Sequence, residues 1–170
     1  AIYRAIADAA REAKLPLSTH TSTVADVAEA VDAGTSSVEH GAMSGELPDA
    51  LISKMKEKGI AYTPTLSVMD SMKAIADLKT EPFERTLVLQ VGPAPMLASS
   101  KALILSPKFG PMAMGLGQMA KYLDTARRNL TRAHQAGVII VAGTAICLLP
   151  AGLRFSGRKP DAAAGAEATA

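Results

Sequence analysis

The sequence predicts an α/β fold in which parallel strands are joined by right-handed helical crossovers. Two observations carry this. Four segments share one grammar: "REAKLPLSTH" (11–20), "VDAGTSSVEH" (31–40), "KEKGIAYTPT" (56–65) and "HQAGVIIVAG" (134–143) each leave a helix, pass a helix-ending residue and enter a short extended run. Between them the apolar residues fall at helical spacing, so strand and helix alternate at the rhythm that parallel pairing requires. Composition agrees: 170 residues, 48% hydrophobic and 20% charged, suit a globular domain with one core. A doubly wound sheet and a (β/α) barrel both satisfy this pattern.

Each element has a local reason. "AIYRAIADAAREAK" is an amphipathic helix of mixed charge, without the apolar centre of a signal peptide. Thr23 with Asp26 forms a capping-box variant, and Val24, Val27, Ala28 and Val31 make one apolar stripe. The next helix, about Pro48 to Lys58, has proline in its first turn and Leu51, Ile52 and Met55 as its inner face. The last runs from about Asp124 to Gln135, with Ala126, Leu130 and Ala133 inward. Gly34, Gly59 and Gly137 occupy the left-handed position that ends a helix, and Lys14 takes that place in the first repeat.

Between Leu66 and Tyr122 the rhythm breaks. The stretch holds six of the eight methionines together with Pro82, Pro93, Pro95, Pro107 and Pro111. "SVMDSMKAIADL" and "MGLGQMAKYL" read as helices. Residues 67–122 are therefore expected to form a helical insertion with its own small core, the alternative being an adaptable methionine-rich lid.

Several function classes are excluded or left open. A net charge of +2, scattered cations and 4% aromatic residues argue against a nucleic-acid surface. The single Cys147 rules out an internal disulfide and a multi-cysteine zinc site. Residues 135–153 carry no charge, but Gly137, Gly143, Pro150 and Gly152 interrupt them, so a buried strand is expected rather than a membrane span. Compartment is not specified, with cytoplasm as the default. Oligomerisation is not specified either.

Two of the three histidines carry the chemical argument. Lys14 to His20 is six positions, and Gly34 to His40 is six positions. Both imidazoles are therefore expected at the C-terminal ends of neighbouring parallel strands, where α/β proteins bind ligands. Strands lie about 4.8 Å apart, so imidazoles at matching height can share a metal ion with Zn–N near 2.0–2.1 Å. Gly41 lets the chain turn sharply after His40. His134 lies in the last helix and receives no role. Without a metal, the two histidines would be hydrogen-bonded structural residues of a non-enzymatic α/β binding module. No strand end carries a Gly-rich phosphate loop, which argues against a nucleotide binder.

"LPLSTHTST", "SSVEHG", "YTPTLSV" and "NLTRAHQAGVIIVAGT" resemble, in order and spacing, the second half of metal-dependent amidohydrolases. The branch they resemble is that of imidazolonepropionase and Xaa-Pro dipeptidase. The resemblance covers residues 1–144 and implies a partial (β/α)8 TIM barrel, strands five to eight, with the insertion before the last helix and strand. It implies that His20 and His40 are ligands to a divalent metal, most often zinc. It also implies hydrolysis of an amide or other C–N bond, and a small-molecule or dipeptide-like substrate for the full-length parent. Some relatives carry a further histidine two places after the first; here that residue is Ser22.

Three departures accompany the resemblance. The first-strand His-x-His pair and the fourth-strand bridging residue have no counterpart. The eighth strand, expected to end Gly-Thr-Asp, reads Gly143, Thr144, Ala145, and a methyl group can neither bind metal nor accept a proton. The isolated chain is therefore expected to be inactive. Residues 145–170 lack periodicity and are expected to be an irregular, disordered tail. Translation or the gene model is expected to leave its frame near codon 145, which the neighbouring reading frames of the DNA would test.

Overall fold

The computed structural model describes residues 2–143. The expectations for Thr144, Ala145, Cys147 and the tail lie outside the described residues. Within them the order is α1 (Ile2–Glu12), β1 (Ser18–His20), α2 (Val24–Ala33), β2 (Ser37–Glu39), α3 (Asp49–Glu57) and β3 (Ala61–Thr63). There follow α4 (Leu66–Ala76), α5 (Thr86–Val91), α6 (Ala94–Ile104), α7 (Gly110–Ala120) and α8 (Leu123–Ala136). Short 3-10 turns at Glu81–Glu84 and Pro107–Phe109 join some of these helices.

The fold is α/β, with a three-stranded parallel sheet in the order β1-β2-β3. The fourth repeat adds a single parallel bridge, Tyr62 to Ile140, held by Tyr62 N–H to the Ile139 carbonyl (2.8 Å) and Val141 N–H to the Tyr62 carbonyl (2.9 Å). Residues 135–143, the described part of the uncharged run, thus finish α8 and meet β3 at this one bridge; Val138 is buried but Ile139 and Val141 are exposed, so they do not form the buried strand expected. No helix among the described residues is long and apolar enough to cross a membrane.

The helix-to-strand turns repeat one device. Lys14, Gly34, Gly59 and Gly137 all have left-handed backbone, with φ of 54°, 90°, 65° and 87°. After each, the next N–H reaches back five residues: Leu15 to Ala10, Thr35 to Ala30, Ile60 to Met55 and Val138 to Ala133. This is the Schellman arrangement, which satisfies a helix's last carbonyls and turns the chain toward the sheet. Lysine in the first repeat carries a Cβ penalty that the three glycines avoid.

The expected helices form with small shifts. Thr23 and Asp26 make both reciprocal bonds of the capping box. Pro48 is the N-cap of α3, one residue before its first turn. Of the α2 stripe, Val27 and Val31 are buried, joined by Ala30 and Ala33 rather than Ala28. Ile52 and Met55 of α3 pack with Val27, Val31, Val38, Leu47, Ile60, Tyr62, Ala133 and Val138 in one core on the helical side of the sheet. On α8 the buried residues are Leu123, Ala126, Asn129 and Ala133, while Leu130 is half-buried. Between α4 and α8 the described chain is mostly helical. Pro95 and Pro111 lie in the first turns of α6 and α7, where a missing N–H is harmless.

The core contains one unmet polar group among the described residues, the Tyr62 hydroxyl. Burial pushes its pKa up to about 12. Removing a buried hydroxyl that has no partner relieves a desolvation penalty. Tyr62→Phe is therefore expected to stabilise the fold by about 1 kcal/mol in urea unfolding. The wild type carries a pH signature. Its phenol stays protonated when folded but ionises near pH 10 when unfolded. Stability is thus complete below pH 10 and falls by roughly 1.4 kcal/mol per pH unit as pH climbs toward about 12. The phenylalanine variant should lack this contribution, and an unchanged slope would refute the assignment.

Candidate metal centre

His20 ends β1, and His40 follows directly on β2. Their ring centroids are 4.6 Å apart, edge to face at 69°. The route to this contact differs from the simple count. The ladder pairs Ser18 with Ser37, so His20 faces Glu39, and His40 stands one residue further on. Counted from the left-handed residues Lys14 and Gly34, the chain has one residue more before β1 than before β2, which slips the count by one. In regular strand geometry that slip would send the two rings to opposite faces. His40 instead adopts φ 68°, a left-handed conformation that breaks the alternation.

The loops around the rings are tied to each other. Tyr3 donates its hydroxyl to the His20 carbonyl (3.0 Å), joining α1 to the end of β1. The Thr21 N–H continues the β1–β2 ladder to the Glu39 carbonyl, and its hydroxyl lies 2.9 and 3.1 Å from the Glu39 and Gly41 carbonyls. Met43 N–H donates to the Ser22 carbonyl (2.9 Å), which links the loops after β1 and β2. The Asp26 carboxylate receives both the Ser22 and Thr23 N–H groups and is held below the usual carboxylate range by them, Thr23 contributing most.

Each ring has a hydroxyl neighbour. Ser22 Oγ lies 3.4 Å from His20 Nε2, and Thr65 Oγ1 lies 2.7 Å from His40 Nδ1. Burial, and then the adjacent His20 ring, hold the His40 imidazole below its ordinary pKa against the pull of Glu39. Its ring therefore stays neutral, as metal binding requires, to lower pH than a free histidine does.

Sequence reasoning passed over Glu39. Its Oε1 accepts from Ser18 (2.7 Å) and Ser37 (2.8 Å) on the sheet face opposite the helices. Burial alone would raise this carboxyl, but the Ser18, Ser37 and Thr63 hydroxyls and His40 outweigh it and hold it below the usual range. The only available signal was alternation: Ser37 and Glu39 flank buried Val38. His134 is exposed in the last turn of α8, apart from the two rings in the fold. Among the described residues no group of three or more His, Cys, Asp or Glu side chains is placed to hold a metal ion. The donor chemistry fits a divalent cation, with two imidazoles of the several ligands such an ion needs.

With this geometry in place, solved structures provide a comparison. An uncharacterized protein matches at 25% identity with a TM-score of 0.54, over 84% of this chain and 27% of its own. A prolidase complexed with N-methylphosphonate-L-proline matches at 23% identity with a TM-score of 0.52, over the same shares. A Xaa-Pro dipeptidase with methionine bound in its active site matches at 22% identity with a TM-score of 0.46, again over 84% and 27%. The chain shares part of its fold with such proteins and spans about a quarter of their length. No protein-family model matches the chain, and no curated protein sequence matches it significantly.

Proposed function

We propose that this chain is part of a metal-dependent hydrolase of amide or other C–N bonds, with His20 and His40 as two of its ligands. The observation that carries the reading is the contact of two imidazoles, 4.6 Å apart, at the C-terminal ends of adjacent parallel strands. The partial likeness in fold to a prolidase supports a dipeptide-like substrate class for the parent protein. On this reading the sheet is the fifth to eighth strands of a (β/α)8 barrel, and residues 67–122 are an insertion over its rim.

A divalent cation, zinc by preference, would supply a polarised carbonyl and a water acidic enough to ionise near neutral pH. The chain's own contribution is to hold two imidazoles in place on tied loops. Directly after Gly143 and Thr144 it carries Ala145 rather than a carboxylate, so that position has no group to accept a proton from water. The isolated chain is inactive on this reading.

Equilibrium dialysis with zinc tests the proposal. Wild type should bind, and His20→Ala or His40→Ala should each weaken binding by more than about tenfold. If neither substitution changes uptake, the rings are ordinary hydrogen-bonded histidines and the chain is a non-enzymatic α/β module.

A further inference from the structure

We propose that Thr65 is a positioning residue that fixes the ring of His40 with its proton on Nδ1, leaving the Nε2 lone pair for a cation. This rests on the metal reading above for its purpose and for the direction of the hydrogen bond, though not for the contact itself.

Three observations carry it. The Thr65 hydroxyl lies 2.7 Å from His40 Nδ1, in a site where Thr65 is buried and His40 partly so. Thr65 is also the N-cap of α4, where a threonine side chain ordinarily accepts a helix N–H. It makes no such bond. The one hydroxyl that could cap α4 is directed instead to a ring 25 residues earlier in sequence. Finally, the backbone of Thr65 is left-handed (φ 48°), as is that of His40 (φ 68°). Only Lys14 and Leu78 share that state among the described non-glycine residues, and both follow helix ends. A β-branched residue is a genuine outlier there. Strain of this kind persists only where the surroundings impose it, and it collects at functional sites.

Two strained residues therefore hydrogen-bond to each other across the loops after β2 and β3. The His40 N–H also donates to the Thr63 carbonyl (2.9 Å), so backbone and ring are both fixed to the β3 end. A hydroxyl can accept from Nδ1–H or donate to a bare Nδ1; acceptance, the role that partners of metal-bound histidines generally take, leaves the Nε2 lone pair free for a cation.

The test is nitrogen-15 NMR of the histidine rings in the full 170-residue chain, without metal, at a pH where the imidazoles are neutral. Wild-type His40 should carry its proton on Nδ1, against the preference of a free side chain for Nε2. Thr65→Ser should retain this, and Thr65→Val should move the proton to Nε2 while leaving the His20 and His134 signals in place. A wild-type proton on Nε2 overturns the proposal without any variant, as does a Thr65→Val spectrum identical to wild type. Zinc dialysis on the same samples separates the two readings. A binding loss of about 10–100-fold in Thr65→Val, restored by Thr65→Ser, supports both. A proton on Nδ1 in a chain that takes up no zinc keeps the positioning role and overturns the metal reading.

Discussion

Asn129→Ala should lower the urea midpoint more than any single core truncation of similar size, with a loss of about 3 kcal/mol. The side chain is fully buried in α8. Its Oδ1 accepts the Leu47 N–H (2.9 Å), and its Nδ2 donates to the carbonyls of Ala42 (2.9 Å) and Gly45 (2.8 Å). One amide thus satisfies three backbone groups of the loop that follows His40 and leads into α3. Truncation leaves these groups short of partners in a dry site, and each buried polar group so orphaned costs about 1–3 kcal/mol. The sum is not additive, because the loop can relax toward water. Asn129→Asp provides the control: it keeps the acceptor for Leu47 but faces two carbonyls with a carboxylate, and should be as damaging as alanine. A loss below about 1 kcal/mol for both would show that the loop is held by other contacts.

The residue also marks where the sequence stops being legible. On α8 the apolar spacing points to Ala126, Leu130 and Ala133, and a polar residue one step from Leu130 gives no sign of burial. Asn129 faces inward because its partners lie more than 80 residues earlier, a relation that no local pattern encodes. The four helix-to-strand turns were legible because each is local. Gly34, Gly59 and Gly137 occupy positions that only glycine enters freely, and the spacing of their repeats then located Lys14. The capping box at Thr23 and Asp26 was legible for the same reason. Proximity of the two histidines was legible from counting, but their register was not. The count placed them level, whereas the ladder sets His20 against Glu39 and the left-handed turn at His40 restores the contact. Thr65 was invisible because it acts through a ring in another loop. Pro95 and Pro111 stand in the first turns of α6 and α7, where proline starts a helix rather than breaks it.

Gly41→Ala should be comparably disruptive, destabilising by about 2–4 kcal/mol, and it should also reach the metal-binding readout. Two independent constraints meet at this residue. Its φ of 71° lies in the left-handed region, where any Cβ adds about 1 kcal/mol of strain. A Cβ built there would also stand 2.5 Å from the Tyr62 hydroxyl oxygen, 2.6 Å from Cε2 and 2.7 Å from Cζ. Tyr62 is fully buried in β3 and cannot swing away, so the loop must move instead. Because the ring carbons are as close as the oxygen, Tyr62→Phe should not rescue Gly41→Ala, whereas Tyr62→Ala should relieve the clash and leave only the backbone strain. The double-mutant cycle therefore separates the two terms: full coupling with Tyr62→Ala and none with Tyr62→Phe is the expected pattern. The displaced loop begins at His40, and its Thr21 hydroxyl contact to the Gly41 carbonyl would be lost with it. Zinc binding should accordingly weaken in Gly41→Ala even at low temperature, where the variant is still folded. Undiminished binding in a destabilised but folded variant would mean that the rings are held by β1 and β2 alone, and that the turn after His40 matters only to the core.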